Sequence, residues 1–105
     1  MEEPNLSFIK EIAGDDISFQ NSILDILRKE FPTEVEDYNR NFSEKKYEEA
    51  SKDVHKIKHK VSLLALNKGL EIATEYENQL LERNIELHTS FIEILNKIHV
   101  YLYDN

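Results

Sequence analysis

The segment YEEASKDVHKIKHKVSLL, residues 47–64, carries apolar side chains at helical spacing. The apolar positions follow one another at steps of 3, 4, 3, 4 and 3 residues: Tyr47, Ala50, Val54, Ile57, Val61 and Leu64. These steps keep the apolar side chains on one face of an α-helix, which is the pattern of a seam in a helical bundle. The segment therefore predicts a long helix from about Glu44 to Leu66, with Ser43 as its N-cap.

The chain on the N-terminal side of this segment predicts two more helices. Glycine and proline each occur only twice in the 105 residues, so long helices are expected, and no stretch alternates like a strand. A short helix is predicted over residues 4–13, ended by Gly14. Asp15 or Asp16 then caps a second helix, in which Pro32 predicts a kink or a short break.

The C-terminal part predicts a turn over residues 67–69, a fourth helix over residues 70–84 and a fifth over residues 86–103. Outside the central helix, the side chains expected in the core are Phe19, Ile23, Leu24, Ile26, Leu27, Val35, Tyr38, Phe42, Leu70, Ala73, Tyr76, Leu80, Leu81, Leu87, Phe91, Ile94, Leu95, Ile98 and Leu102. We therefore predict an all-α fold, an up-down-up-down four-helix bundle with a short N-terminal cap helix, as a single domain over residues 1–105.

The composition narrows the class of protein. Apolar residues make up 40% and charged residues 32%, which is typical of a folded globular domain. Cysteine is absent, so disulfides and thiolate metal sites are excluded. The N-terminal sequence MEEPNLSF has no signal-peptide pattern, and no apolar run approaches the ~20 residues of a membrane span. With a net charge of −8, we expect a cytoplasmic protein without membrane or nucleic-acid partners.

Positive charge is concentrated around two histidines of the central helix. Residues 45–68 hold seven lysines and three acidic residues, a local charge of +4, whereas the other 81 residues carry −12. On a helical projection, His55, Lys58 and Ser62 lie one turn apart on one side of the helix, outside the apolar stripe. An exposed imidazole is a nucleophile near neutral pH, and lysines attract the anionic phosphoryl group. The pattern therefore predicts a phosphohistidine at His55.

A docking surface is predicted beside this histidine. On the same projection, Leu63 and Leu66 point away from the apolar stripe, and two exposed leucines beside an exposed histidine indicate either a docking surface or the surface on which the N-terminal helix packs. Together with Lys52 and Lys56 they form the predicted partner-docking surface.

The segment VHKIKHKVSLLAL, residues 54–66, resembles the signature of the histidine-containing phosphotransfer (HPt) domain. That signature reads roughly His-x-Leu-Lys-Gly-Ser, followed by small and apolar residues up to a Leu-Gly pair. His55 matches the phospho-accepting histidine, Ile57 the leucine and Lys58 the lysine. Leu64 stands at the later leucine, and Ala65 replaces the later glycine.

The resemblance covers most of the chain but has two further departures. The stretches NLSFIKEIAGDDISFQNSILDILRKEFP and EIATEYE look like the opening helices and the fourth helix of the family. Lys60 replaces the usual serine, and His59 replaces the usual glycine, where its ring either crowds the phosphoryl group or hydrogen-bonds it. His55 is the better acceptor because a lysine follows it at the third position, whereas Ser62 holds that position relative to His59.

The resemblance implies a phosphorelay carrier. His55 would accept a phosphoryl group from an aspartyl phosphate on a receiver domain and pass it to another receiver, with Lys58 stabilising the phosphate and His59 and Ser62 as supporting residues. The protein would have no kinase activity and no cofactor of its own, because the receiver brings Mg²⁺. The implied partners are receiver (response regulator) domains and a hybrid sensor histidine kinase, with the protein itself monomeric.

Two other interpretations remain open at this stage. A non-transferring adaptor with a degenerate HPt sequence would bind a receiver or kinase through the same surface. His55 and His59 also have the i, i+4 spacing of a zinc pair, but the surrounding lysines repel a dication, so no metal site is predicted. His88 and His99 are taken as surface histidines without a role.

Overall fold

The computed structural model describes residues 2–104 and contains five helices in that range. They are α1 Ser7–Ala13, α2 Ile17–Ser43, α3 Tyr47–Leu63, α4 Asn67–Leu81 and α5 His88–Tyr103. Helix α2 packs against α3 and α5, α4 packs against the same two helices, and α1 lies on α2. The predicted all-α bundle of four long helices with a short N-terminal helix is therefore confirmed. The predicted domain range also included Met1 and Asn105, which lie outside the described residues.

The apolar stripe of α3 forms the centre of the core. Its positions from Ala50 to Leu64 are fully buried, and Tyr47 is partly buried at the helix start. Each of the larger aliphatic side chains stabilises the fold by about 1.5–3 kcal/mol on burial. Tyr38, Tyr76 and Phe91 bring the facing helices onto this stripe.

Three side chains expected in the core are exposed instead. Phe19 and Ile26 of α2 and Leu81 at the end of α4 are each about half exposed or more. The buried positions of α2 are Gln20, Leu24, Leu27, Phe31 and Tyr38. Phe19 and Ile26 each precede one of these buried residues, Gln20 and Leu27. Because successive residues of a helix are rotated by about 100°, both side chains lie outside the buried face.

Of the kink or short break predicted at Pro32, the break is absent, because the second helix runs through this residue. A proline has no N–H, so the carbonyl oxygen of Arg28, four residues earlier, has no helical partner. The hydroxyl of Tyr103 donates a hydrogen bond to this oxygen at 2.7 Å. In return, Nε of Arg28 donates to the carbonyl of Leu102 at 3.1 Å. These two bonds attach the C-terminus of α5 to the middle of α2.

The junction between α2 and α3 differs from the predicted one. Ser43 was expected to cap α3, but it is the last residue of α2, and α3 begins at Tyr47. Lys45 takes a left-handed conformation with φ of 60°. That single residue reverses the chain, although left-handed backbone is unfavourable for a residue other than glycine.

The junction between α3 and α4 is also earlier than predicted. Helix α3 ends at Leu63 because Ala65 adopts φ of 61°. Residues 67–69, expected as a turn, form the first turn of α4. A Cβ atom on Gly69 would lie 3.2 Å from Cβ of Leu66 and 3.3 Å from Cγ1 of Val61. The glycine therefore allows close packing of α4 on α3 rather than a turn.

Glu2, in the segment before α1, binds the N-terminus of α4. The carboxylate of Glu2 accepts hydrogen bonds from the backbone N–H of Lys68 at 3.0 Å and of Gly69 at 3.1 Å. A negative charge at this end of a helix is favoured by the unpaired N–H groups and the helix dipole. Among residues 2–104, no helix has the length and apolar character needed to cross a bilayer.

Candidate functional site

The site is built around His55, on the exposed side of α3. Its Nδ1 lies 3.0 Å from Oε2 of Glu77 on the neighbouring helix α4. The other carboxylate oxygen, Oε1, accepts a hydrogen bond from Nζ of Lys58 at 2.8 Å. Glu77 is therefore bound simultaneously to the two residues that were predicted to carry the chemistry. Glu77 was not among the predicted site residues.

His55 is much more exposed than the two side chains that accompany it, Glu77 and Lys58. The side chain of His55 is 58% exposed, whereas those of Glu77 and Lys58 are 15% and 18% exposed. Ser51 fixes the same part of α4 because its hydroxyl donates to the carbonyl oxygen of Glu77 at 2.6 Å. The carboxylate is held in place on the bundle, while the imidazole remains accessible to a partner.

The hydrogen bond to Glu77 selects one tautomer of His55. An ionised carboxylate only accepts hydrogen bonds, so Nδ1 must carry the proton that lies between the two groups. In the neutral ring, Nε2 then holds the free lone pair. In that tautomer, the arrangement presents Nε2 to the solvent as an oriented nucleophile.

His59 lies beside His55 on the outer face of α3. The two ring centroids are 5.3 Å apart, and the ring planes are nearly perpendicular at 85°. Lys52 and Lys56 are both exposed, and Lys52 makes a surface ion pair with Glu49 at 3.4 Å. An open groove between α3 and α4 adjoins His55; its lining residues are Glu48, Ser51, Lys52, His55, Glu77, Asn78 and Leu81. Lys56 lines a different groove, between α3 and α2, together with acidic residues such as Glu30 and Asp37.

Ser62 does not belong to the His55 centre. It lies seven residues further along α3, a rise of about 10 Å. The structure places it in a separate polar recess near α1, with Ser7, Phe8 and Glu11 among the lining residues. The predicted stripe of His55, Lys58 and Ser62 is therefore reduced to its first two members, joined by Glu77.

The predicted docking residues divide into two groups. Lys52 and Lys56 are exposed, as expected, but Leu66 is only 2% exposed and belongs to the core. Its assignment was wrong because the projection continued α3 to residue 66, whereas the helix ends at Leu63. Leu63 is partly buried and packs against the core cluster.

Lys60 lies on the opposite side of α3 and does not contribute to the positive field around His55. Its side chain is 7% exposed, and Nζ donates to Glu30 at 2.9 Å and to Glu34 at 3.1 Å. This buried ammonium joins α3 to α2 through the half-exposed carboxylate of Glu30 and the largely buried carboxylate of Glu34, which is a structural role. The positive charge around His55 is therefore smaller than the number of lysines in residues 45–68 indicated.

His88 is not a surface histidine. Its ring stacks on Phe42 with centroids 3.8 Å apart, and Nδ1 lies 2.7 Å from the hydroxyl of Tyr38. That hydroxyl also bonds the hydroxyl of Tyr76. Burial lowers the pKa of His88 and raises that of Tyr76 to about 12. The three side chains form a polar network within the aromatic end of the core.

The comparisons with known proteins add no assignment. No family model, curated protein or solved structure matches the chain. Among residues 2–104, no three His, Cys, Asp or Glu side chains are grouped in a way that would hold a metal ion.

Proposed function

We propose that the protein is a phosphorelay carrier of the histidine-containing phosphotransfer type, which accepts a phosphoryl group on Nε2 of His55. The observation that carries this proposal is the carboxylate of Glu77, which contacts Nδ1 of His55 and the ammonium of Lys58 at once. This contact orients an exposed imidazole with its free nitrogen outward and holds a lysine one turn along the same helix.

The transfer is a nucleophilic displacement at phosphorus. The lone pair of Nε2 attacks an aspartyl phosphate on a receiver domain, so that an N–P bond forms and the P–O bond to the aspartyl oxygen breaks. The aspartate leaves as a carboxylate. Because Nδ1 keeps its proton, the imidazole ring of His55 becomes positively charged, and Glu77 stabilises that charge. The reverse displacement passes the group to a second receiver.

Lys58 supplies positive charge at the phosphoryl oxygens. An ammonium has three N–H donors, and one of them is bound to Glu77. The other two remain for the oxygens of a group on Nε2 of the neighbouring ring. Because Glu77 holds Nζ in position, little side-chain entropy has to be lost during transfer. The protein contributes orientation and charge, without kinase activity, and Mg²⁺ comes from the receiver.

The docking surface for the receiver extends from His55 towards α1. Lys52 and Lys56 are exposed lysines of α3 within three residues of His55, and they complement the carboxylates with which a receiver holds Mg²⁺. In place of Leu63 and Leu66, the apolar contribution comes from α1, where Phe8 is 39% and Ile12 48% exposed. Receivers and a hybrid sensor kinase in the cytoplasm are the partners that this proposal requires.

The proposal is tested with a receiver domain carrying a labelled aspartyl phosphate and Mg²⁺. Wild type and His59→Gln should acquire label that is lost in acid and stable in base, whereas His55→Gln should acquire none. Both variants change one exposed imidazole on the same helix, so each controls for the other. Equal labelling of His55→Gln and wild type would reject His55 as the acceptor.

An adaptor that binds a receiver without accepting phosphate is the second candidate. The observation in its favour is His59, whose ring occupies space beside His55 where the HPt signature has glycine. Receiver binding by all three proteins, with no label on any, would establish this alternative.

A further inference from the structure

The ring of His59 lies beside the ring of His55 on the outer side of α3. Glu77 on α4 binds Nδ1 and so fixes the edge of His55 that faces α4. The Nε2 edge is consequently turned towards the outer surface of α3. Side chains on a helix lean towards its N-terminus, so the ring of His59 covers the turn that carries His55. The 5.3 Å between the two ring centroids reflects this overlap.

His59 has free hydrogen-bonding capacity at this position. Within residues 2–104 it forms no hydrogen bond or ion pair, and its ring contact is with His55. A neutral imidazole always carries one N–H donor, and a protonated one carries two. A phosphoryl group offers three strong acceptor oxygens. An oxygen attached to phosphorus on Nε2 extends beyond the His55 ring, into the region that the His59 ring adjoins.

We infer that His59 is a second phosphate-binding residue, which donates a hydrogen bond from its ring to a phosphoryl oxygen on His55. This inference rests on the proposed function. Lys58 and His59 then bind the phosphoryl group from two sides, and His59 compensates for the sharing of Lys58 with Glu77. The bond exists only when His55 is phosphorylated, so His59 shifts the transfer equilibrium towards this protein and lengthens the lifetime of the phosphohistidine.

The test compares His59→Ala, which lacks a donor, with His59→Gln, whose amide retains one. The partition of label between receiver and carrier at equilibrium is measured, together with the hydrolysis rate of the isolated phosphohistidine. A hydrogen bond to a charged group predicts a shift of about tenfold towards the receiver for His59→Ala. His59→Gln should recover part of the loss. His99→Gln, a change of an exposed histidine on α5, should match wild type.

The outcomes separate this inference from the proposed function. If wild type and His59→Ala are both labelled with the same partition and the same lifetime, His59 does not bind the phosphoryl group, while His55 remains the acceptor. A higher yield of phosphohistidine in His59→Ala would overturn the inference in favour of crowding. Absence of label on wild type would reject the proposed function and this inference together.

Discussion

Oε2 of Glu77 lies 3.0 Å from Nδ1 of His55, across the interface between α4 and α3. The same carboxylate binds Lys58 through its other oxygen, and its backbone carbonyl accepts a hydrogen bond from Ser51. The orientation of an exposed histidine is therefore determined by the packing of two helices. It does not depend on a flexible loop, and it is in place before any partner binds.

Replacing Glu77 by Gln should slow phosphoryl acceptance by about tenfold or more, because the amide keeps the shape but loses the charge that stabilises the phosphorylated ring. The measurement is the rate of label transfer from a phosphorylated receiver. Glu71→Gln, an exposed glutamate on the same helix, is the matched control and should be unaffected. Equal rates for Glu77→Gln and wild type would remove Glu77 from the transfer mechanism.

Substitution by methionine should affect stability at one lysine of α3 and receiver binding at another. Lys60→Met leaves the carboxylate of Glu34 without its buried partner and should lower the free energy of unfolding by about 2 kcal/mol. Lys56→Met removes an exposed charge beside the site, so it should weaken receiver binding at low salt and leave stability nearly unchanged. Denaturant unfolding and receiver titration measure the two effects. A loss of receiver binding in folded Lys60→Met would contradict this division.

The helix period was sufficient to predict the bundle and most of the core. The steps of three and four residues between Tyr47 and Leu64 correspond to a buried face, because the apolar side of α3 packs against α2 and α4. The junctions were harder to predict. Lys45 and Ala65 both adopt left-handed backbone without the glycine that normally marks it, so no residue type indicates where α3 begins and ends.

Only the site residues that lie together on one helix, α3, were predicted. His55 and Lys58 lie on the same helix, and their spacing alone placed them together. Glu77 reaches them from α4, and contacts between helices depend on the relative rotation and offset of both, which one sequence does not supply. EIATEYE contained the signal, since Glu77 follows the core residue Tyr76 and so lies at the edge of the interface.

Ala65→Gly should stabilise the protein. Ala65 has φ of 61°, a conformation that is unfavourable by about 1 kcal/mol for alanine and is freely adopted by glycine. We expect an increase in melting temperature of about 4 °C, measured by circular dichroism. Ala73→Gly, inside α4, is the control and should lower the melting temperature. A decrease for Ala65→Gly as well would show that residue 65 is not left-handed in solution.

His88 should make stability depend on pH. In the neutral tautomer that carries its proton on Nε2, Nδ1 of His88 accepts the proton of Tyr38, and the oxygen of Tyr38 then accepts from Tyr76. Burial lowers the pKa of His88 below 6.5 in the folded state. The unfolded chain therefore binds the proton more readily, so this contribution is present above about pH 6.5 and is lost as the pH falls.

The pH effect is measured as the difference between wild type and His88→Asn, whose amide oxygen can accept from Tyr38 but does not titrate. Burial raises the pKa of Asp53, which has an opposing effect, but that residue is common to both proteins. Between pH 7.5 and 5, the free energy of unfolding of wild type should decrease more steeply than that of His88→Asn. Parallel pH profiles would exclude His88 as the titrating group.

The most direct test of the central claim is nuclear magnetic resonance of the protein after transfer from a phosphorylated receiver, with ¹⁵N-labelled histidine and ³¹P detection. We predict one ³¹P signal from a phosphoramidate, coupled to Nε2 of His55, with the proton retained on Nδ1. A phosphoryl group on Nδ1 of His55 would contradict the orientation set by Glu77. A signal on another histidine, or none while the receiver still binds, would contradict the assignment of His55 as the phosphoryl acceptor.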